Sequence, residues 1–596
     1  MGSASDTLEP VKTGDKYHVA TQEHVSIPLD SEVEPYGPAG FRGLFSSPYV
    51  ALCAAFSAIG GLLFGYDQGV ISVTLVMDHF LDRFPEVADD APGAGFKKGL
   101  MTAMITLGAF IGAMNQGWIA DWASRKRSIM IAVVIFTIGS ALQTAALNFD
   151  MLVAGRFIGG VGIGMLSMVV PLYIGEISPP EIRGSLLVFE SLFVVLGIVI
   201  AFWITYSTKD MSSHWSWQLP FLIQIFPGII LGVGAIFLPF SPRWLASKGR
   251  EEEALENLIK LRRVPESDRR VKREWIEIIA EARFQTGVLV ERHPMLASPE
   301  NKTVSSAIKL EIVSWTDCFK AGCWRRTLVG AGLMFFQQFI GINALIYYSP
   351  TLFGTMGLDL NMQLIMSGVL NIIQLVGVFT SLWTLDRFGR KTILLFGSAL
   401  TVIPLVIIAV TVGLFSDSWP THRAEGWTSV AFLLFYMLIF GGSWAPTPWA
   451  VPAEIFPSSL RAKGVAISTC PNWINNFIIG LITPPLVQAT GFGAYVFFAV
   501  FGLLSFAFVW FCVPETRGKT LEEMDTVFGD RSGGDDIAKK EHVLREVYNE
   551  KMSGFLKVSF EVPVTLTEEM SWSSLDEEHP ATYTYTSYYS RHILQL

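Results

Sequence analysis

The sequence has little charge and little cysteine for its length of 596 residues. Charged residues make up 16% of the chain, whereas soluble domains average roughly 25%. Together with a hydrophobic content of 51%, this composition argues against a soluble enzyme. Five cysteines provide no disulfide framework. No basic stripe with interleaved aromatic residues is present, so nucleic acid is not an expected partner.

Signatures of catalysis are also missing. The sequence shows no nucleophile–base pair, no phosphate-binding loop and no cluster of metal ligands, so we expect no enzymatic activity, no metal and no cofactor. Cys318 and Cys323 lie in a polar loop without a second cysteine pair or a nearby histidine, and a zinc site there is therefore not expected. The first 42 residues are polar and interrupted by proline, which predicts no signal peptide.

The chain is rich instead in apolar blocks of about 20 residues, each long enough to cross a ~30 Å hydrocarbon core as a helix. These blocks predict an all-α membrane protein with twelve transmembrane helices in two six-helix halves, joined by a cytosolic helical loop. The predicted spans lie at 48–76, 98–120, 128–147, 152–174, 184–206, 217–238, 326–353, 362–383, 392–414, 427–453, 462–488 and 491–512.

Lysine and arginine are concentrated in the loops of one side and in a long charged stretch between the sixth and seventh spans. Because basic loops stay in the cytosol, we predict cytosolic termini and a cytosolic central loop, in a protein of the plasma membrane. The tail that follows the last span is polar and is predicted to be mostly disordered. The predicted domains are an N-terminal tail at 1–47, bundles at 48–238 and 326–512, the central loop at 239–325, and a C-terminal tail at 513–596.

Two loop sequences occur once in each predicted half. GWIADWASRKR at 117–127 corresponds to LWTLDRFGRK at 382–391, and PLYIGEISPPEIRG at 171–184 corresponds to VPAEIFPSSLRAKG at 451–464. Two halves related in parallel are typical of secondary transporters, which bind their substrate between the halves near the middle of the membrane.

Four motifs carry a family resemblance over roughly residues 45 to 525. They are GGLLFGYDQGV at 60–70, GRFIGGVGIG at 155–164, QQFIGINALIYYSP at 337–350 and VPETRGKTLEEM at 513–524. In this order and at these membrane positions, they resemble the sugar porters of the major facilitator superfamily. The long polar tails and the FLPFSPRWL stretch at 237–245 resemble the fungal branch of monosaccharide transporters.

A sugar that enters a dry site must exchange water for protein hydrogen bonds, and neutral amides supply both donors and acceptors without the cost of a charge. The seventh span carries such amides inside an apolar helix. By resemblance, the substrate-binding residues are Gln337, Gln338, Asn343, Trp449, Asn472, Gln374 and Ser191, and the outer gate is formed by Tyr347 and Tyr348. The alternative for the amides is hydrogen bonding between helices, and for Trp449, as for Trp444, an interfacial position.

Two of these positions depart from the family pattern. Ser191 stands where the family usually has glutamine, with Glu190 before it, and Gln374 replaces the usual asparagine. A shorter side chain at position 191 predicts a roomier or wetter pocket, so glucose specificity is not assumed.

Charges inside membrane spans are costly, at about 2.5–3.5 kcal/mol at a helix centre, and therefore indicate function. The resemblance implies that Asp67 and Arg156 form an ion pair that breaks when Asp67 takes up a proton, which would couple proton entry to sugar entry. A purely structural ion pair is the alternative. Glu190 is a second candidate proton carrier.

The repeated loops imply a cytosolic latch in this family, with the aspartates capping helices and the arginines pairing with Glu176 and Glu454. Trp122 and Ser124 replace the usual arginine and glycine of the first copy, which predicts a weaker first half. The predicted latch comprises Asp121, Arg125, Arg127, Glu176, Arg183, Asp386, Arg387, Arg390, Glu454 and Arg461.

The resulting hypothesis is a transporter that moves a monosaccharide, a hexose and/or a pentose, by alternating access, with proton symport through Asp67 and Arg156. The expected partners are a small sugar, protons and the lipid bilayer, and the expected state is a monomer. Two alternatives keep the fold: an uncoupled sugar facilitator, and a sugar sensor that does not transport and signals through its C-terminal tail.

Overall fold

The computed structural model of the chain describes residues 34–560, apart from residues 39, 89, 298–303, 321–322, 458, 518–523, 525–526 and 529–531. The described residues form helices and contain no strand, so the predicted all-α class is confirmed. The chain divides into two compact units, residues 1–547 and residues 548–596. Only the end of one helix represents the second unit among the described residues.

The first half of the bundle follows a short 3-10 helix at Gly40–Phe45 and contains a second one at Pro85–Val87. Its α-helices are α1 (Pro48–Ser57), α2 (Ile59–Thr74), α3 (Asp78–Arg83), α4 (Ala94–Ala123), α5 (Arg125–Thr144), α6 (Phe149–Ile177), α7 (Arg183–Thr208), α8 (Trp215–Ile223) and α9 (Ile225–Ala235). Within this half, α4 and α5 pack on α6, and α2 packs along α7.

The charged stretch after the first half forms a group of helices that we name the central helices: α10 (Pro242–Ser247), α11 (Glu251–Arg262), α12 (Arg269–Arg292), α13 (Pro294–Ala297) and α14 (Val304–Asp317). The second half contains α15 (Trp324–Phe339), α16 (Ile342–Tyr347), α17 (Ser349–Gly354), α18 (Leu360–Phe388), α19 (Arg390–Phe415), α20 (Arg423–Gly442), α21 (Thr447–Ile455), α22 (Arg461–Thr490) and α23 (Gly493–Cys512). In this half α18 packs on α20, α19 on α23, and α15 on α22.

The tail after the second half departs from its prediction of mostly disordered chain. Residues Ser532–Phe560 form a helix, α24. Its first turns hold ion pairs to α12, with Lys539 2.7 Å from Glu291 and Lys540 2.6 Å from Glu281. These charge pairs, which join distant parts of the sequence, give the helix a partner that a local reading of the polar tail does not reveal. Residues 561–596 lie outside the described residues.

Eleven described helices or helix pairs are long and apolar enough to cross a membrane, and twelve were predicted. The predicted second span falls in α4, which has 30 residues and is therefore about 45 Å long. Asn115 and Gln116 interrupt its apolar sequence, so α4 is long enough but less apolar than the other spans.

Proline and glycine break the helices that carry most of the predicted site. The seventh predicted span consists of α15, α16 and α17, with the first break at Gly341. Gly341 has φ +106°, in the left-handed region, and a Cβ on it would lie 2.7 Å from the ring of Phe498; only glycine fits both constraints. The tenth span breaks between α20 and α21, where Pro446 is the last residue of the gap and Pro448 lies in the first turn of α21.

The two halves meet most extensively through α4 and α22, and also through α7 and α18. The close approach lies at the end of the bundle opposite the central helices, where a Cβ on Gly99 would come within 2.4 Å of the Leu481 carbonyl. At the other end, which we call the central-helix end, Arg262 donates to the Ile177 carbonyl at 2.8 Å and Arg292 donates to Ser459 Oγ at 3.3 Å. The central helices therefore contact both halves.

Candidate functional site

A cavity of about 730 Å³, including the part that is open to solvent, lies between the two halves. Side chains of α2, α6 and α7 line one wall, and side chains of the second half line the other. The polar and aromatic lining residues are Phe64, Gln68, Ser167, Glu190, Ser191, Gln337, Gln338, Asn343, Gln374, Phe440, Trp449 and Asn472. All seven predicted substrate-binding residues are in this set, together with Glu190.

Gln337 is held tightly by the protein itself. Its Nε2 donates to the Trp444 carbonyl at 2.8 Å and to the Ala445 carbonyl at 3.1 Å. These carbonyls lie in the break before α21, where the helix has lost its own hydrogen-bond ladder. Gln337 Oε1 accepts a hydrogen bond from Asn472 Nδ2 at 2.6 Å. The amide of Gln337 therefore connects α15, the broken tenth span and α22.

Gln338 and Asn343 form a second amide pair. Asn343 Nδ2 donates to Gln338 Oε1 at 2.5 Å, across the break between α15 and α16. This bond uses the acceptor of Gln338 and one donor of Asn343, which leaves the Gln338 amide group and the Asn343 oxygen for a ligand. Both residues are nearly fully buried, with 3% and 5% of their surface exposed.

The two tryptophans of the tenth span have different environments. Trp449, on α21, is half-buried and lines the cavity. Trp444 is fully buried, and its Nε1 donates to Ser398 Oγ at 3.1 Å. The sequence left an interfacial position open for both, and for Trp444 the structure shows packing inside the second half.

Ser191 and Gln374 face the cavity from opposite halves. Ser191 lies on α7 and Gln374 on α18. Gln374 Oε1 is buried and has no hydrogen-bond partner among the described residues. The short hydroxyl side chain of Ser191 on one wall therefore lies across the cavity from the longer amide side chain of Gln374 on the other wall.

Asp67 and Arg156 form the buried ion pair that the sequence predicts. Arg156 Nη2 lies 3.4 Å from Asp67 Oδ2, and the residues are 0% and 1% exposed. The same Nη2 donates to the Thr102 carbonyl at 3.3 Å. Asp67 Oδ1 and the Nε and Nη1 of Arg156 have no partner among the described residues. This single long contact is much weaker than a bidentate pair.

A smaller cavity of about 180 Å³ touches Asp67. It shares Phe64 and Gln68 with the larger cavity, and Tyr347 and Trp473 also line it. The carboxylate of Asp67 is thus separated from the larger cavity by the adjacent side chain Gln68. The sequence analysis did not identify Gln68 as a site residue, although a glutamine next to an aspartate inside an apolar span is a pattern that could have indicated it.

Tyr347 and Tyr348 are buried and join α16 to α22. Tyr347 Oη donates to Asn476 Oδ1 at 3.2 Å and accepts from Gln68 Nε2 at 3.4 Å, which connects the two halves. Tyr348 Oη donates to the Gly480 carbonyl at 2.7 Å. The bonds to Asn476 and Gly480 lie on the side of α22 that approaches α4, at the end of the bundle opposite the central helices.

The repeated loops place an arginine–glutamate ion pair in each half. In the first half, Arg125 lies 2.9 Å from both Asp121 and Glu176. In the second half, Arg390 lies 2.9 Å from Glu454. The two pairs occupy equivalent positions at the central-helix end, as the sequence repeat predicts.

Other members of the predicted latch lie elsewhere. The guanidinium of Arg127 lies 5.9 Å from the ring centre of Phe240, and that of Arg387 lies 5.8 Å from Phe388, so aromatic rings rather than the two glutamates contact them. Arg183 donates only weakly, to the Ser178 carbonyl at 3.4 Å.

Burial lowers the pKa of the Arg461 guanidinium, Glu281 opposes this shift and Arg243 adds to it. Arg461 therefore lies among charges of the central helices, and its Nε has no hydrogen-bond partner among the described residues.

The expectation that the aspartates cap helices is wrong for Asp121. Asp121 lies in the last turn of α4, and the side chain that caps α5 is Ser124, which accepts from the Arg127 amide at 3.3 Å. The side chain of Asp386 lies outside the described residues. The side chain that caps the N-terminus of α19 belongs to a residue more than 100 positions later in the sequence.

Glu515 provides this cap and was missed as a site residue. Its carboxylate accepts from the backbone N–H groups of Arg390 at 2.8 Å and Lys391 at 3.1 Å. The adjacent Thr516 Oγ1 donates to Glu454 at 2.6 Å. The VPETRG motif thus binds the second ion-pair loop, a relation that spacing along the chain does not reveal.

Known proteins resemble this chain over most of its length. Residues 53–528 match the family described as "Sugar (and other) transporter". A "Probable quinate permease" of Aspergillus flavus is 32% identical over 489 residues, which cover 80% of this chain and 88% of the relative. A "Probable metabolite transport protein" of Bacillus subtilis is 31% identical, over 83% of this chain and 97% of the relative.

Solved structures agree with these relatives. The proton:xylose symporter XylE, bound to 6-bromo-6-deoxy-D-glucose, has a TM-score of 0.65 and 26% identity, and the match covers 81% of this chain and 99% of XylE. XylE from E. coli in a partially occluded inward-open conformation has a TM-score of 0.64. The relatives are transporters and not enzymes. This chain belongs to the sugar porters of the major facilitator superfamily and is a multi-pass membrane protein.

Proposed function

We propose that this protein carries an uncharged monosaccharide, a hexose or a pentose, across the membrane by alternating access and together with a proton. The observation that carries the proposal is the cavity between the two halves, in which amides of five helices, α2, α15, α16, α18 and α22, and Trp449 converge on one space.

The chemistry of the lining suits a sugar. The free donors and acceptors of Gln338, Asn343 and Gln374 replace the water that a sugar hydroxyl loses on entry. Trp449 offers an aromatic face to the apolar C–H surface of a pyranose ring. Gln337 acts indirectly in this proposal, because its amide is already bonded to the protein and positions α21, on which Trp449 lies.

Proton coupling is proposed to pass through Asp67. A deprotonated Asp67 is attracted to Arg156, whereas protonation removes the negative charge and frees α2 from α6. Gln68 and Tyr347 connect this event to the cavity and to α22. The proton:xylose symporter XylE, with its similar fold, is consistent with such coupling.

Alternating access needs contacts that exchange between the two ends of the bundle. In this structure the halves touch closely at the end opposite the central helices, where the two tyrosines bind α22. The Arg125–Glu176 and Arg390–Glu454 pairs are proposed to form the latch at the central-helix end. We further propose that the central helices and both termini lie in the cytosol and that the protein resides in the plasma membrane.

Uptake by purified protein in liposomes tests the proposal. Labelled glucose and xylose are offered with and without an imposed inward proton gradient. We expect accumulation above the external concentration only with the gradient. Uptake that merely reaches equilibrium under both conditions would identify an uncoupled facilitator, and the absence of uptake and counterflow of either sugar would contradict the transport of these monosaccharides.

A further inference from the structure

The helix α24 of the tail touches both the central helices and the second half. Asp536 Oδ2 accepts a hydrogen bond from Ser459 Oγ at 3.0 Å, and Ser459 lies just before α22 in the second half. The same carboxylate oxygen lies 3.7 Å from Nη2 of Arg292 on α12, and this guanidinium also donates to Ser459 Oγ. Asp536 therefore lies where α12 meets the second half.

Two ion pairs fix α24 on α12, those of Lys539 with Glu291 and of Lys540 with Glu281. Burial raises the pKa of the Glu281 carboxyl, but the charge and the hydrogen bond of Lys540 outweigh this effect and contribute to a pKa below the usual value. Val547, two turns further along α24, is fully buried. Charge pairs and a buried apolar side chain thus hold α24 in place.

The helices α10 to α12 are attached more firmly to the first half than to the second. α10 packs on α6, and α11 packs on α1. Trp244 Nε1 on α10 donates to the Asp121 carbonyl at 3.0 Å, and Arg262 on α11 donates to the last carbonyl of α6. Towards the second half, α12 is bonded through Arg292 and Ser459 at 3.3 Å. When the halves separate at this end, we therefore expect the contact between α12 and Ser459 to part first.

We propose that α24 is an autoinhibitory clamp, which is fixed on α12, bonds to Ser459 across the junction and slows the opening of the central-helix end. The inference rests on the proposed function only in that this end must open during transport, and it depends on neither the sugar nor the proton. Lys539 and Glu291 are 46% and 62% exposed, and ion pairs of this kind are individually weak. Such a clamp can release and re-form in each transport cycle.

The distance between spin labels on the two halves tests the clamp without any substrate. The labels are attached to cysteines that replace Trp122 and Phe388, which are exposed at the ends of α4 and α18, and serine replaces Cys512, the exposed native cysteine. Pulsed electron spin resonance in lipid nanodiscs then gives the fraction of molecules in which the central-helix end is open.

The variant Asp536→Ala removes the bond across the junction and leaves Arg292 and Ser459 bonded to each other. We expect the open fraction to rise about threefold, and about twofold for Lys539→Glu, which is the size expected when exposed charge contacts are lost. The double variant Asp536→Ala/Lys539→Glu should match Asp536→Ala alone, because both residues act through the same clamp and their effects are not additive.

Two controls isolate the clamp from a general effect of charge. The swap Lys539→Glu/Glu291→Lys restores an ion pair of opposite polarity and should return the open fraction to that of the unmodified protein. Arg545→Glu makes the same change of charge at an exposed position of α24 that forms no ion pair with another described residue, and it should have no effect. Lys540 is kept in all variants, because Glu281 also attracts Arg461 of the second half.

The outcomes separate the clamp from the proposed function. An open fraction that does not rise in Asp536→Ala would overturn the inference, and so would a swap variant that stays as open as Lys539→Glu. Neither result would affect sugar transport, which counterflow of labelled glucose and xylose in liposomes measures separately. If the label distances respond as expected but neither sugar shows counterflow, the clamp stands and the proposed function fails.

Discussion

Arg262 at the central-helix end is bonded several times, whereas the ion pair in the middle of the bundle, Asp67 and Arg156, leaves polar atoms without a partner among the described residues. Arg262 makes two bonds to Glu274, at 2.9 and 2.6 Å, and a third to the Ile177 carbonyl. In the bundle, Asp67 and Arg156 share a single contact of 3.4 Å, and Glu190 has no partner among the described residues. Both regions exclude much of the solvent, but the pair in the bundle leaves Asp67 Oδ1 and the Nε and Nη1 of Arg156 without a partner among the described residues.

The difference indicates two uses of polar groups. A buried polar atom without a partner costs about 1–3 kcal/mol, so a fold that served stability alone would not keep several of them together. At the central-helix end, Arg125 and Arg262 are each bonded to several groups and hold the structure, although Arg183 Nε, Arg461 Nε and Glu176 Oε2 have no hydrogen-bond partner among the described residues. In the bundle, we infer that a sugar, water or a proton completes the bonding during transport. The following variants test this contrast.

The largest effect is expected for Asp67→Asn. The variant cannot exchange a proton at this position, so accumulation against a gradient should be lost while counterflow continues. It also leaves the Arg156 charge without its carboxylate, which costs about 3–5 kcal/mol when a buried pair is broken. Gradient-driven uptake and the Tm in detergent measure the two effects.

The double variant Asp67→Asn/Arg156→Gln is the control, because it removes both charges. It should recover most of the Tm without recovering accumulation. Gradient-driven accumulation by the single variant at the level of the unmodified protein would show that Asp67 carries no proton and that the pair is structural.

Variants of the neighbouring residues Gln337 and Gln338 test the difference between bonded and free polar groups within the cavity. Gln337→Leu removes the donor to two backbone carbonyls and should lower the stability by about 1–3 kcal/mol, with a weaker affinity that follows from the displaced α21. Gln338→Leu removes free donors and one bond, the one that Gln338 accepts from Asn343, so it should reduce sugar affinity about tenfold with a smaller loss of Tm than Gln337→Leu, whose side chain makes three bonds. Equal loss of Tm in both variants would contradict the different roles that we assign to them.

The two ion-pair loops should respond unequally. The substitutions at Trp122 and Ser124 predict a weaker first loop, but Arg125 and Glu176 are 11% and 9% exposed, compared with 17% and 30% for Arg390 and Glu454. Breaking the more buried pair costs more free energy. We therefore expect Arg125→Gln to change the solvent accessibility of a cysteine introduced in the cavity more than Arg390→Gln does.

The expected difference between these variants is about 1 kcal/mol, a several-fold change in the conformational equilibrium. Thiol labelling of a single cysteine introduced at Ser191 provides the measurement in both backgrounds. A larger effect of Arg390→Gln would support the weaker first loop that the sequence predicts.

The smallest effect concerns Asp317 at the end of α14. Burial raises the pKa of its carboxyl, but hydrogen bonds and charges of Lys320 and His293 lower it below its usual value overall. A lowered pKa means that Asp317 stabilises the fold above the usual range of about pH 4 and that this contribution is lost as the pH falls through the lowered pKa. Because Lys320 is 63% exposed, solvent weakens the effect.

Asp317→Asn should therefore flatten the acid side of the curve of Tm against pH, measured in detergent from about pH 3 to pH 6. At neutral pH the variant should differ by less than about 1 kcal/mol. A curve that keeps its slope below pH 4 would show that other carboxylates control the acid response.

Much of the fold and of the cavity lining could be predicted from the sequence, because hydropathy and repeated motifs are local signals. The boundaries of most spans follow from such signals, and the pairs Asp67–Arg156 and Arg125–Glu176 and the seven cavity residues follow from the family resemblance that the motifs carry. The broken seventh and tenth spans place amides and prolines at the centre of the bundle, where the motifs locate them. The role of these seven residues in binding a sugar stays a prediction.

Contacts between distant residues could not be predicted in the same way. Nothing along the chain shows that Gln337 is bonded to Trp444 and Ala445, that Glu515 caps α19, or that Arg127 contacts Phe240. The position of Asp121 in the last turn of α4, and the ion pairs that connect α24 to α12, also depend on elements more than 100 residues apart or on where a helix ends.

The sequence by itself determined that this chain is a membrane-spanning sugar porter with two related halves, because apolar length and motif order are properties of consecutive residues. The tertiary structure decided which polar groups are already satisfied and which face the cavity without a partner. That distinction depends on distances of a few ångströms between residues far apart in the chain, and hydrogen-bond energies change steeply over such distances.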